Sequence, residues 1–137
     1  MLFRSRLVDS ARRTKLRDTI VDAVIGLESI LLANTGDKTE LRFRFSLHYA
    51  SLFPKGERKD AFYTARDLYD LRSTIAHGSP LKEEVKINGK TVKVADVGAL
   101  ARSTLRKTIG IFMSNAKNPD FMHEAYWPSK ELGLEED

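Results

Sequence analysis

The chain has 137 residues, 42% of them hydrophobic, with 8 glycines, 4 prolines and no cysteine. That length and apolar content suit one domain with its own core and exclude global disorder, while the missing cysteine excludes disulfides, thiolate catalysis and cysteine-based zinc sites. A net charge of +4 and a pI of about 9.4 permit nucleic-acid binding without requiring it.

No apolar run approaches the ~20 residues of a membrane span. The start, Met1-Leu2-Phe3-Arg4-Ser5-Arg6, is basic, but no long apolar segment follows it, which argues against a signal peptide. The expected location is the cytoplasm, with no membrane partner. Arg4, Arg6, Arg12, Arg13, Lys15 and Arg17 crowd the first 17 positions, and Glu131, Glu135, Glu136 and Asp137 make the C-terminus acidic. Such runs usually mark solvated faces, and a phosphate-contacting arm is the functional alternative.

The first element is a helix over 10–33. Leu16, Ile20, Val24, Leu27 and Leu31 step by four, four, three and four and form one apolar stripe, widened by Ala23 and Ile30. Asn34-Thr35-Gly36-Asp37 ends it. Glu28 lies one position past the stripe residue Leu27, where a rim carboxylate is the ordinary reading.

A second helix is expected over 40–53, capped by Thr39 or Asp37. Leu41, Phe45, Tyr49 and Leu52 form its inner face, with Phe43 and Phe53 flanking. Arg42, Arg44 and His48 fall elsewhere. His48 reads as a packing residue, because no second histidine or carboxylate stands at metal-ligand spacing. Pro54-Lys55-Gly56 is a turn. The third helix runs over 58–77, with Ala61, Ala65, Leu68, Ile75 and Ala76 at helical spacing. Gly78 and Pro80 stop it.

Beyond Pro80 the period changes. Val85-Lys86-Ile87 and Thr91-Val92-Lys93-Val94 alternate on either side of Asn88-Gly89, the dipeptide that a type I′ hairpin turn prefers. A two-stranded ribbon or ordered loop is expected at about 83–95, lying on the helices because an isolated hairpin is marginal. Helix four follows over 95–115. Val97, Ala101, Leu105, Thr108 and Phe112 lie on one face, with Leu100, Ile109 and Met113 beside it. Asn118-Pro119-Asp120 then opens a short last helix to about Tyr126, with Phe121 and Trp127 sealing one end of the bundle. The expected fold is all-α: an antiparallel bundle of four to five helices with a small β insertion, one domain over 1–137 with its core at about 10–126. No phosphate-binding glycine loop, zinc site or serine nucleophile elbow is present in the sequence.

The chemistry gathers at Arg72-Ser73-Thr74-Ile75-Ala76-His77. Ser73 and His77 are i and i+4 and share a helix face. Arg72 and His77 are five apart, about 140° round the axis, so a straight helix splays them. A curled arginine and a last turn unwound at Gly78 would relieve this. A guanidinium binds phosphate bidentately, and a histidine can give or take a proton near neutral pH. With one hydroxyl, these suffice to cleave RNA without a metal. The 2′-hydroxyl attacks its own phosphate, arginine stabilises the charge on the phosphate oxygens, and histidine moves the proton. A commoner arrangement of the same residues is a histidine satisfying the last carbonyls and an arginine paired with Asp70 or Asp67.

The segment Leu68-Tyr69-Asp70-Leu71-Arg72-Ser73 through His77-Gly78, and the earlier Asp22-Ala23-Val24-Ile25-Gly26-Leu27-Glu28-Ser29-Ile30-Leu31-Leu32, resemble the Apea-like branch of the HEPN superfamily over roughly residues 10–115. That superfamily's motif is an arginine, a polar residue and a histidine at this spacing. The resemblance implies a metal-independent endoribonuclease without cofactor, acting on RNA as a homodimer whose two motifs face each other across a composite site. It implies Arg72 as the phosphate binder, His77 as the acid/base and Ser73 as the residue orienting one of them, with Glu28, Asp70 and Tyr69 in supporting positions. It also implies a prokaryotic toxin or antiphage defence setting, with an antitoxin or a larger defence protein as partner. One subgroup carries a tyrosine two positions after the histidine, and Ser79 stands there in this chain. Other members keep the fold without the chemistry and serve as dimerisation, sensing or ligand-binding modules.

Overall fold

The computed structural model describes the backbone of residues 2–33 and 40–115, and the side chains of 14–33 and 40–114. Helix α1 spans Leu2–Leu31, α2 Leu41–Ser51 and α3 Arg58–Ala76. Strands β1 (Glu84–Ile87) and β2 (Lys90–Lys93) form an antiparallel hairpin, and α4 spans Val94–Asn115. The fold is an all-α bundle carrying a small β insertion, as the periodicities indicate. The expected last helix with Phe121 and Trp127, and the expected caps Asp37 and Thr39, fall outside the described residues.

Helix α1 starts well before position 10, because no glycine or proline interrupts the chain before Gly26. Its stripe is the centre of the core, and Ile20, Val24, Leu27 and Leu31 are fully buried. Phe45 and Tyr49 of α2, Ala65 and Leu68 of α3, and Val97, Ala101 and Phe112 of α4 close round it. Thr108 of α4 is also buried, and its hydroxyl donates to Thr104 O at 2.9 Å. Ile109 and Met113 instead stand exposed on the outer side of α4.

Two joints fix the ends. His48 is buried, with Nδ1 2.6 Å from Leu31 O, so its ring N–H satisfies one of the carbonyls that the end of α1 leaves over. It is a polar tie between α2 and α1 as well as a packing residue. A single 3-10 turn, Lys55–Glu57, then reverses the chain into α3.

Asn88 and Gly89 take φ values of 52° and 75°, the pair of positive angles that a type I′ turn requires. The ribbon lies on α3 by burying Ile87 and by donating Asn88 N–H to Asp67 Oδ2 at 2.8 Å. The ribbon runs out and back: Val94 N–H donates to Glu83 O at 2.9 Å, so α4 starts where β1 began. Helix α4 runs beside α1 in the same direction: Gly98 faces Thr19 and Leu16, and seven residues later Leu105 faces Gly26.

Candidate functional site at the end of α3

The end of α3 is closed by its own backbone. His77 N–H donates to Ser73 O, Gly78 N–H to Ile75 O and Ser79 N–H to Thr74 O, at 3.0, 3.0 and 3.2 Å. Gly78 adopts φ 77°. Crossed bonds of this kind around a left-handed glycine are a Schellman cap. Two consequences follow for His77. The last carbonyls are already satisfied, so its imidazole is not needed as their cap. The helix also stays regular through Ala76, so the unwinding that would swing His77 toward Arg72 does not occur. The His77 side chain is exposed, and among the described residues its ring has no hydrogen-bond or ion-pair partner.

Arg72 points the other way, toward α1. Its Nε lies 3.3 Å from Glu28 Oε1, with the two side chains 29% and 22% exposed. Both atoms are buried, and neither has a hydrogen-bond partner among the described residues, so the contact is an ion pair without hydrogen-bond alignment. The expected alternatives for Arg72 are occupied elsewhere. Asp70 takes a bidentate contact from Arg42 of α2, Nε to Oδ1 at 2.7 Å and Nη2 to Oδ2 at 2.8 Å. That hydrogen-bonded carboxylate raises the Arg42 pKa above its ordinary value. Asp67 is shared between Arg66, at 3.1 and 3.2 Å, and the Asn88 amide.

The remaining sequence candidates serve the helix itself. Ser73 Oγ donates to Tyr69 O at 3.1 Å, within its own helix, and the Tyr69 ring packs against Phe45 with centroids 5.3 Å apart. Glu28 and Arg72 are thus brought together from two distant segments. Asp70 is committed to Arg42, and Ser73 lies on the His77 side without bonding to it. Arg42 had no local signal in the sequence, since its partner is 28 residues away and only the α2–α3 packing joins them.

One chain therefore presents a part-buried guanidinium against α1 and an exposed imidazole about 140° round α3 from it. A guanidinium with about a third of its side chain in solvent can still reach an anion through its outer nitrogens. Among the described residues no group of three or more His, Asp or Glu stands close enough to hold a metal ion, and no helix is long and apolar enough to cross a membrane. Comparison of the chain with family models, with characterised proteins and with solved structures gives no match.

Proposed function

We propose that this protein is a metal-independent endoribonuclease of HEPN type, an effector of a prokaryotic toxin or antiphage defence system. The observation that carries this is the end of α3. An imidazole at His77 without a partner among the described residues and a part-exposed guanidinium at Arg72 stand about 1.4 turns apart on one helix of a small bundle. The ribose 2′-hydroxyl attacks the adjacent phosphorus and the 5′-oxygen of the next nucleotide leaves, giving a cyclic phosphate and a free 5′-hydroxyl. Arg72 stabilises the charge on the phosphate oxygens, and His77 moves the proton. The splay of the two side chains favours a site completed by a second copy, in which one chain's imidazole meets the other's guanidinium.

A second reading has its own observation. The Arg72–Glu28 pair is what a catalytically silent dimerisation or sensing module, binding a partner or a nucleotide ligand, would retain.

The test is incubation of mixed RNA with purified protein in EDTA, beside Arg72→Ala and His77→Ala. A nuclease of this kind cuts in EDTA, and both variants lose the cutting. Absence of cutting by a wild-type dimer moves the assignment to the silent module. Equal cutting by all three proteins overturns the site.

A further inference from the structure

The side of α3 that carries His77 is a continuous strip. Tyr63, Arg66, Asp70, Ser73 and His77 all fall within about 40° of one line along the helix. On one flank stands α2, which contributes Phe43, the large apolar residue exposed on this face. The Phe43 ring meets Phe62 edge-on at 6.0 Å, and Phe62 meets Tyr63 at 5.5 Å. The Arg66 guanidinium lies 4.6 Å over the Tyr63 ring and extends it as a second flat surface. On the other flank the hairpin tip is pinned to α3, through Asn88 N–H to Asp67 and Asn88 Nδ2 to Asp60 Oδ1 at 3.2 Å. That pinning holds Lys90, which pairs with Ile87 across the ribbon and shares its face, beside the strip, exposed and without an ion-pair partner among the described residues.

We propose that this strip binds single-stranded RNA and leads it to His77: bases stack on the Phe43–Tyr63–Arg66 surface, and phosphates meet Lys90 at the hairpin tip. The inference rests on the endoribonuclease reading and names how its substrate is held. The flat groups present π faces, which every base can use without regard to sequence. Arg42 answers the charge of Asp70 and Arg66 that of Asp67, Asp60 accepts from the Asn88 side chain, and Lys90 is the cation that the hairpin tip adds on that flank. A protein partner would want a broader apolar core than one exposed phenylalanine supplies. From Tyr63 to His77 the helix rises about 21 Å, which accommodates about six stacked nucleotides at ~3.4 Å each.

Binding is separated from cleavage by working in the His77→Ala protein. A short fluorescein-labelled single-stranded RNA and its duplex are titrated by anisotropy. Phe43→Ala and Tyr63→Leu are each expected to weaken single-strand binding about tenfold. Lys90→Gln is expected to flatten the salt dependence by about 0.7 logarithmic units per decade of salt. Wild-type affinity in both aromatic variants, or a preference for duplex, overturns the platform. So does a Phe43→Ala effect that appears as loss of self-association. Cleavage in EDTA with neutral platform variants removes the platform and leaves the nuclease standing. Aromatic-dependent binding by a wild-type protein that never cleaves supports the platform and removes the nuclease. A wild-type protein that does neither overturns both.

Discussion

Arg72 of α3 and Glu28 of α1 face each other 44 residues apart in the chain, Nε to Oε1 at 3.3 Å, with both atoms shielded from solvent and neither hydrogen-bonded. A fully buried pair costs about 3–5 kcal/mol to break and a surface pair contributes about 0–1. This pair, about a quarter exposed, belongs between. A double-mutant cycle with Glu28→Gln and Arg72→Gln is expected to return a coupling of about 1 kcal/mol in urea unfolding. Additive single variants would show that the two side chains do not meet in solution.

Two glycines should respond in opposite directions to alanine. Gly78 has φ 77° and open space around it, so Gly78→Ala meets no clash and still forces a side chain into the left-handed region. The expected loss is about 1 kcal/mol, smaller for Gly78→Asn. Gly110 lies within α4 with nothing near a new Cβ, and Gly110→Ala should add about 0.5–1 kcal/mol. Thermal midpoints that move the same way for both would contradict the cap.

Asp67 joins three groups: the Arg66 fork, the Asn88 amide and, through that amide, the hairpin turn. Asp67→Ala leaves the part-buried Asn88 N–H without an acceptor, at a cost of about 1–3 kcal/mol. The loss should be local. Amide exchange in the hairpin should accelerate well before exchange in the buried turns of α1 does. Uniform acceleration across the domain would mean that the hairpin is part of the global folding unit.

Tyr49 gives an alkaline signature. Burial pushes its phenol above the ordinary value of 10.0, and a side-chain hydrogen bond with Thr104 offsets this in part. A folded pKa raised above the unfolded one means that stability is complete below about pH 10 and declines as pH rises through the folded value. Tyr49→Phe should flatten that decline, measured as urea midpoints between about pH 8 and about pH 11, with a loss of about 1 kcal/mol at neutral pH from the missing hydrogen bond. An unchanged alkaline slope would assign it to other groups.

The elements were legible in the sequence because their signals are local. The α1 stripe from Ile20 to Leu31, the Gly78–Pro80 stop and the Asn88-Gly89 turn each lie within a few residues of the structure they specify, and all three appear as read. The start of α1 was less legible. Helices end on breakers, and residues 2–9 contain none, so a fading apolar pattern set the expected boundary short. What only the tertiary structure decided was which side chains meet. Asp70 was a neighbour of Arg72 in sequence, yet two residues along a helix point about 160° apart, and α2 brought Arg42 to it instead. Glu28 reached Arg72 because α1 and α3 pack together, a contact with no sequence period to announce it. The direction of α4 beside α1 rests on contacts between distant segments, Gly98 with Leu16 and Thr19 and Leu105 with Gly26. Periodicity encodes the face that an element buries. Partner choice between elements depends on packing geometry, which no single segment contains.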